Sequence, residues 1–134
     1  MAASVTAIIS NAESVLLVKR RREPFKGTWM FPSGFVDFGE HPEEALAREV
    51  LEETGLRIKQ ASLIGVHQSP DDYREPGHLV FFYTVEVEAG EIMTDPHENE
   101  AIRWFRVDEQ MPKVGWQLHR QFLSSIWRRA ERVE

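Results

Sequence analysis

The sequence predicts an α+β fold in which two helices pack on a mixed β-sheet. Three observations support this prediction: apolar, β-branched segments recur along the chain, one capped helical segment interrupts them, and an amphipathic helical segment follows the last of them. The 134 residues are 42% hydrophobic and 28% charged, as is typical of one globular unit. We therefore expect a single domain over residues 1–134.

The predicted strands are short apolar segments separated by turn-forming residues. Residues 4–9 and 15–19 are expected to form a hairpin across a polar turn. Residues 29–40 are predicted to be short extended structure, because Pro32, Gly34 and Gly39 interrupt them. Later strands are expected at residues 57–67, 78–88 and 101–107.

The first predicted helix runs from His41 to Thr54, and the second begins near Gly115. Pro42 suits the first helical position and Gly55 suits a left-handed C-terminal cap. We expect one arc of the first helix to face the core and Ala45 to lie on its acidic face; the arc comprises Leu46, Ala47, Val50, Leu51 and Thr54.

Composition excludes several classes of site. The chain has no cysteine, which excludes disulfides and thiolate metal sites. It has no apolar run of membrane-spanning length, and its first residues lack a basic leader, so we expect a cytoplasmic protein without a membrane partner. The net charge of −6 disfavours nucleic acid as a partner, although metal ions can still mediate phosphate binding by an acidic protein.

Three glutamates dominate the first predicted helix. Glu49, Glu52 and Glu53 stand at i, i+3 and i+4, so their side chains share one helical face. Like charges at this spacing repel each other, and a cation would relieve the repulsion. Carboxylate oxygens suit Mg²⁺, with Mn²⁺ as a substitute. The alternative is an acidic face that is simply solvated.

The residues around these glutamates resemble a known motif. The pattern Gly34-x5-Glu40-x7-Arg48-Glu49-Val50-x-Glu52-Glu53-x-Gly55-Leu56 is similar to a complete Nudix box. The resemblance implies an α/β/α sandwich and hydrolysis of a nucleoside diphosphate linked to another moiety. It implies that Glu52 and Glu53 bind metal, that Glu49 binds metal or acts as the base, and that Arg48 orients Glu49.

The same resemblance implies roles around the helix. Glu40 would support the metal shell, and the backbone carbonyl of Ser33 would approach the metal, although the family often has glycine at this position. An additional glutamate commonly serves as base or metal ligand in the loop before the last strand. Glu98 is the first candidate for this role and Glu100 the second, with solvated surface acids as the alternative.

Substrate contacts are expected from three further segments. Arg20 resembles arginines that contact substrate, with a solvated basic loop as the alternative. Trp29 is expected to pack beside the box, with stacking on a base as the alternative. Tyr73 has the spacing typical of enzymes that act on dinucleoside polyphosphates. The segment that ends at His78 is similar instead to ADP-ribose-type members, and ordinary loop packing is the alternative for Tyr73 and His78.

The leading hypothesis is therefore a Mg²⁺-dependent Nudix pyrophosphohydrolase that acts on a nucleotide-type small molecule. ADP-ribose or nucleoside diphosphate-sugars and (d)NTPs come first as substrates, with dinucleoside polyphosphates or RNA 5′ ends as alternatives. A ligand-sensing domain without turnover is the non-enzymatic alternative. A homodimer is left open by the sequence.

Overall fold

The computed structural model describes residues 2–132. Within this range the chain forms seven strands and two helices, in an order that matches the predicted one. They are β1 (Ala3–Asn11), β2 (Ser14–Arg20), β3 (Trp29–Met30), β4 (Ser33–Phe35), α1 (Pro42–Thr54), β5 (Ile58–Gln68), β6 (Leu79–Val87), β7 (Asn99–Arg106) and α2 (Gln117–Arg132).

The sheet is mixed, with the strand order β3-β2-β1-β6-β5; β4 also pairs with β1, and β7 with β2. Strand β1 runs parallel to β6 and antiparallel to β4. The predicted hairpin of β1 and β2 is paired only beside its turn, at Ser10–Val15 and Asn11–Ser14. Beyond these pairs the two strands separate, and β2 continues along β7.

The helices cover different faces of this sheet. Val5, Ala7 and Ile9 of β1 pack in one apolar cluster with Leu46 and Val50 of α1. Ile8 packs in a second cluster, which includes Leu123 and Trp127 of α2. Because successive side chains of a strand point to opposite faces, β1 contributes to both clusters and separates the two helices. The predicted α+β sandwich is confirmed.

Helix α1 is capped at both ends. The His41 side chain accepts a hydrogen bond from the backbone N–H of Glu43, and Glu44 accepts one from the backbone N–H of His41. Gly55 has φ 76°, the left-handed conformation that glycine adopts without steric cost. These caps explain why the predicted bounds agree with the observed ones.

The orientation of α1 differs from the predicted one. Ala47 and Leu51 are exposed, whereas Ala45 is fully buried and Glu53 is 8% exposed. The small Ala45 side chain lies against the core, so the helix face turned toward the sheet includes Ala45 and Glu53 as well as Val50. The expectation that Ala47 and Leu51 face the core was therefore wrong, whereas Ala45 shares a face with Glu53, and this face is buried rather than open.

Among residues 2–132, neither helix combines the length and the apolar character that crossing a bilayer requires.

Helix α2 buries a histidine that links stability to pH. His119 is 7% exposed, and its Nδ1 atom accepts a hydrogen bond of 3.1 Å from the backbone N–H of Phe31. Burial lowers the pKa of His119 to about 3, with a smaller effect of the charge on Arg20. The unfolded chain, with a histidine pKa of about 6.5, therefore binds more protons than the folded one between these values.

We expect the contribution of His119 to stability to be complete above pH 6.5 and to decline as the pH falls. The decline between pH 7.5 and 5 should be about 2 kcal/mol, because the unfolded chain gains a proton that the folded chain excludes. Urea unfolding of the wild type and of His119→Gln, at both pH values, measures the difference. His97→Gln, at an exposed histidine, is the control and should keep the wild-type pH dependence. An equal pH dependence in His119→Gln would contradict this account.

Candidate active site

A cavity of about 300 Å³ opens beside the acidic face of α1. Segments from β4, the loop 69–78, the loop before β7 and the start of α2 also contribute to its wall. Seven residues singled out from the sequence line it: Arg20, Ser33, Glu49, Glu52, Glu53, His78 and Glu98. The fold therefore brings together residues that are far apart in the sequence, such as Arg20 and Glu98.

Glu49 lies against the backbone of Gly34. Its side chain is 12% exposed, and a Cβ atom built at Gly34 would stand 2.1–2.5 Å from its three carboxylate atoms. Such a separation is shorter than any van der Waals contact. Glycine is needed at position 34 because the Glu49 carboxylate approaches the chain so closely.

Arg48 fixes the orientation of the Glu49 carboxylate. Its Nη1 atom donates to Glu49 Oε1 at 2.8 Å. Its Nε and Nη2 atoms donate to the two carboxylate oxygens of Glu40 at 2.9 and 3.0 Å, and Nη2 also reaches the carbonyl oxygen of Phe35 at 3.1 Å. Because a two-point arginine–carboxylate contact is directional, the guanidinium has one preferred position.

Glu40 is thus tied to Arg48 and does not line the cavity. Its Oε1 atom also accepts a hydrogen bond of 2.9 Å from the backbone N–H of Asp37. The Arg48 guanidinium, together with this N–H, lowers the pKa of Glu40 to about 2. Glu40 is therefore charged at neutral pH and stabilises the cationic Arg48.

Glu53 has a partner that the sequence analysis missed. The Nδ2 atom of Asn99 donates a short hydrogen bond to Glu53 Oε2, and Asn99 is 4% exposed. The sequence pointed instead to the neighbouring Glu98 and Glu100. It contained no signal for Asn99, because the strand was predicted to begin at residue 101 and β7 begins at Asn99.

Burial changes the acidity of both enclosed carboxylates. It raises the pKa of Glu49 to about 7, against the opposing effect of Arg48. It raises the pKa of Glu53 to about 7 as well, against the opposing hydrogen bond from Asn99. Nearby acids add to both shifts. A cation in the cavity would therefore stabilise the charged forms of these side chains.

The oxygen atoms available for a cation follow from these contacts. In the described part of the chain, Glu49 Oε2 and Glu53 Oε1 have no hydrogen-bond donor. Glu52 is half exposed and lies 3.4 Å from Arg48 Nη1. Across residues 2–132, no three His, Asp or Glu side chains are already grouped at metal-binding geometry. The free carboxylate oxygens nevertheless have the chemistry that a hard cation prefers.

Two other predicted residues are enclosed in the wall. Arg20 donates from Nε to the carbonyl oxygen of Pro24 at 2.6 Å. The ring of His78 is hydrogen-bonded to Ser4 Oγ at 3.0 Å and to the carbonyl oxygen of Glu75 at 2.9 Å. The two hydrogen bonds of the His78 ring fix this side chain. The hydrogen bond of Arg20 uses only Nε, so part of the guanidinium still faces the cavity.

Three residues expected to contact substrate lie outside the cavity wall. Trp29 packs edge-on against Phe105, with ring centroids 4.7 Å apart. Tyr73 is 68% exposed, and Glu100 pairs with Lys19 at 3.5 Å. The fold therefore does not bring these three side chains to the glutamates of α1.

A larger open concavity, of about 1020 Å³, lies between the β1–β2 turn and the end of α2. Its wall includes Glu13, Trp104 and Arg129 but none of the four box glutamates. We assign the chemistry to the smaller cavity, because only that cavity contains buried carboxylates with raised pKa values.

The chain belongs to the NUDIX domain family, whose profile matches residues 1–126. It is 41% identical over 117 residues to an ADP-ribose pyrophosphatase of Methanocaldococcus jannaschii, a match that covers 86% of this chain and 67% of the relative. It is 33% identical over 109 residues to a NAD-capped RNA hydrolase of Citrobacter koseri, covering 81% of this chain and 40% of the relative.

The fold has close structural counterparts. A MutT NUDIX hydrolase from Burkholderia pseudomallei matches with a TM-score of 0.82 and 29% identity, over 93% of this chain and 97% of that one. The sequence-based interpretation as a Nudix-type pyrophosphohydrolase is confirmed at the level of the family. The chain spans about two thirds of the archaeal relative and less than half of the Citrobacter one, so its substrate is a separate question.

The contact between Gly34 and Glu49 can be tested by substitution. In Gly34→Ala the added Cβ would overlap the Glu49 carboxylate and displace it, and we expect hydrolysis of nucleotide substrates to fall by about 100-fold. Steady-state assays give the rate, and thermal unfolding checks the fold. Ser33→Ala, which keeps the backbone carbonyl, is the control and should remain close to wild type. Full activity in Gly34→Ala would show that the Glu49 position is not critical.

The hydrogen bond between Asn99 and Glu53 can also be tested by substitution. Asn99→Asp would replace a donor with a second carboxylate, so we expect stability without metal to fall by about 2–3 kcal/mol. Added Mg²⁺ should raise the unfolding temperature of this variant more than that of the wild type, because the cation offsets the added charge.

Differential scanning fluorimetry with and without Mg²⁺ measures both effects. Glu100→Asp is the matched control, since Glu100 pairs with Lys19 outside the cavity wall. Equal Mg²⁺ responses in Asn99→Asp and the wild type would refute the placement of Glu53 at a cation site.

Proposed function

We propose that this cavity hydrolyses the diphosphate linkage of ADP-ribose or a related nucleoside diphosphate-sugar, with Mg²⁺ as cofactor and Mn²⁺ as a substitute. One observation carries the proposal: Glu49 and Glu53 are enclosed on the cavity side of α1, and Arg48 and Asn99 each hold one carboxylate oxygen. This arrangement leaves the second oxygen of each glutamate free, as cation binding requires.

The residues present fit a hard divalent cation. Glu49, Glu52 and Glu53 would supply carboxylate oxygens, and the backbone carbonyl of Ser33, in the same wall, would supply another. The cation, when bound, neutralises diphosphate oxygens and acidifies water. Glu40 supports the site indirectly, since its carboxylate holds Arg48 in place.

Glu49 is the first candidate for the base. Arg48 occupies Oε1, so Oε2 is the oxygen that would either bind the cation or accept the proton of the water, and in the second case Glu52 and Glu53 would hold the cation. Glu98, which lines the same cavity, is the second candidate.

The reaction adds water across the diphosphate. The water oxygen forms a bond to one phosphorus atom and loses a proton to the base, and the bridging oxygen leaves with the electron pair of the broken P–O bond. The products are a nucleoside monophosphate and a phosphorylated sugar. The protein's groups contribute positioning and electrostatic stabilisation rather than a covalent nucleophile.

Three observations support ADP-ribose or a nucleoside diphosphate-sugar over the other substrates. The relative from Methanocaldococcus jannaschii, 41% identical, carries the name ADP-ribose pyrophosphatase. The side chain expected to mark a dinucleoside polyphosphate enzyme, Tyr73, is 68% exposed and outside the cavity wall. His78, from the segment similar to ADP-ribose-type members, is in the wall.

A substrate panel tests the proposal. ADP-ribose, a nucleoside diphosphate-sugar, a dNTP and a dinucleoside polyphosphate are incubated with and without Mg²⁺, and phosphate is measured after phosphatase treatment. We expect Mg²⁺-dependent product, greatest with the first two compounds. Glu53→Gln should reduce turnover by about 100- to 1000-fold, because the lost charge weakens electrostatic stabilisation of the reaction.

Glu43→Gln is the matched control, since Glu43 lies in the first turn of the same helix, is exposed, and does not line the cavity. It should retain wild-type turnover. The absence of Mg²⁺-dependent product from every compound, or full turnover in Glu53→Gln, would refute the proposal.

A further inference from the structure

The loop 69–78 places a second arginine in the cavity wall. Arg74 directly follows the exposed Tyr73, and its Cζ atom lies 5.7 Å from the ring centroid of Phe35 and 5.4 Å from that of Trp116. Its side chain is 42% exposed, so a ligand can reach it. The loop therefore contributes the guanidinium of Arg74 to the cavity, whereas the sequence had suggested the ring of Tyr73.

Asp72 holds Arg74 in this position. The Nε and Nη2 atoms of Arg74 donate to the two carboxylate oxygens of Asp72 at 2.9 Å each, and the backbone N–H of Arg74 donates to Oδ1 at 3.0 Å. The Asp72 side chain is only 4% exposed. Because one edge of the guanidinium is fixed in this way, the remaining N–H groups are oriented before any ligand binds.

The free edge of Arg74 has no acceptor within the protein. In the described residues, its Nη1 atom makes no hydrogen bond, and the indole Nε1 atom of Trp116 is buried without a partner. Arg20 lies at the same indole ring, with Cζ 5.4 Å from the centroid. Arg74 Nη1 is thus an unused donor in a cavity wall that also contains the carboxylates of Glu53 and Glu98.

The two arginines also repel each other. Burial lowers the pKa of Arg20 and the positive charge of Arg74 lowers it further, whereas the carboxylates of Glu98, Asp72 and Glu53 act in the opposite direction. Like charges that share one cavity are stabilised when an anion binds to both. The ring of Trp116 is a poor alternative site for stacking a nucleobase, because Trp116 is 6% exposed.

We propose that Arg74, oriented by Asp72, binds the diphosphate group of the substrate together with Arg20, beside Phe35 and Trp116. This inference rests on the proposed function and assigns a binding role to a residue outside the Nudix box. The ligand chemistry is a diphosphate dianion, common to all nucleoside diphosphates. The arginines hold the anion by charge and by two-point hydrogen bonding, and the base is recognised elsewhere.

Isothermal titration calorimetry with ADP and UDP, with and without Mg²⁺, tests this proposal. Arg74→Lys keeps the charge beside Asp72 but loses the planar fork. The double variant Asp72→Asn/Arg74→Gln removes both charges, so no buried carboxylate is left unpaired. Arg57→Gln is the control, since Arg57 is exposed and outside the cavity wall. Thermal unfolding establishes that each variant is folded.

We expect the double variant to weaken ADP and UDP binding by the same factor, about 10- to 30-fold, as a lost charge-assisted hydrogen bond implies. Arg74→Lys should show a smaller loss of affinity, again equal for both nucleotides. If the double variant does not fold, the affinities of Arg74→Lys alone test whether Arg74 binds the diphosphate. Unchanged affinity would overturn the proposal, and so would a loss confined to ADP, which would indicate a base contact.

The hydrolysis and binding experiments together distinguish a failure of the hydrolase assignment from a failure of the diphosphate site. If the wild type hydrolyses no diphosphate compound but ADP and UDP binding still depends on Arg74, the diphosphate site stands and the hydrolase assignment falls. If the wild type hydrolyses ADP-ribose and both affinities are independent of Arg74, the hydrolase assignment stands and the diphosphate site falls.

Discussion

The set of contacts around the Arg48 guanidinium is the interaction on which the site depends. Arg48 joins the segment before α1 to the helix itself, because it binds Glu40, Glu49 and the carbonyl oxygen of Phe35. The backbone of Gly34 closes the other side of the Glu49 carboxylate. Loop and helix therefore fix each other, and the position of one carboxylate oxygen follows from both.

The site is built at a cost to the stability of the fold. The rotation of α1 that buries Ala45 also encloses Glu49 and Glu53, and burial raises both pKa values to about 7. Enclosed carboxylates destabilise a protein unless they are paired. Arg48 and Asn99 pair one oxygen of each, and the opposite charge of a bound cation would satisfy the rest. Arg20 and Arg74 line the same cavity, and a bound anion would stabilise these two cations.

The sequence predicted features that depend on nearby residues. Gly55 and Pro42 marked the bounds of α1, and the spacing of the box residues identified the family. Asn99 was missed because its partner, Glu53, is 46 residues away, and a polar residue between two acids has no local signal of burial. The face of α1 was mispredicted because helical spacing alone does not reveal that the small Ala45 side chain packs against the sheet.

The assignment of the loop 69–78 shows the same limit. Spacing from the box drew attention to Tyr73, but strand and loop geometry turn that side chain to solvent and bring the adjacent Arg74 to Trp116. Which of two neighbouring side chains enters a cavity depends on contacts such as those of Asp72, which only the folded chain defines. The residues proposed to bind substrate were thus the least accessible to sequence reasoning.

Binding of a divalent cation by the α1 carboxylates can be measured by Mn²⁺ titration followed by electron paramagnetic resonance, because free and bound Mn²⁺ give different signals. We expect the wild type and Glu43→Gln to bind Mn²⁺ with equal affinity, Mg²⁺ to compete, and Glu53→Gln to bind at least about 10-fold more weakly. Equal Mn²⁺ affinity in Glu53→Gln and the wild type, or no binding by the wild type, would contradict this expectation.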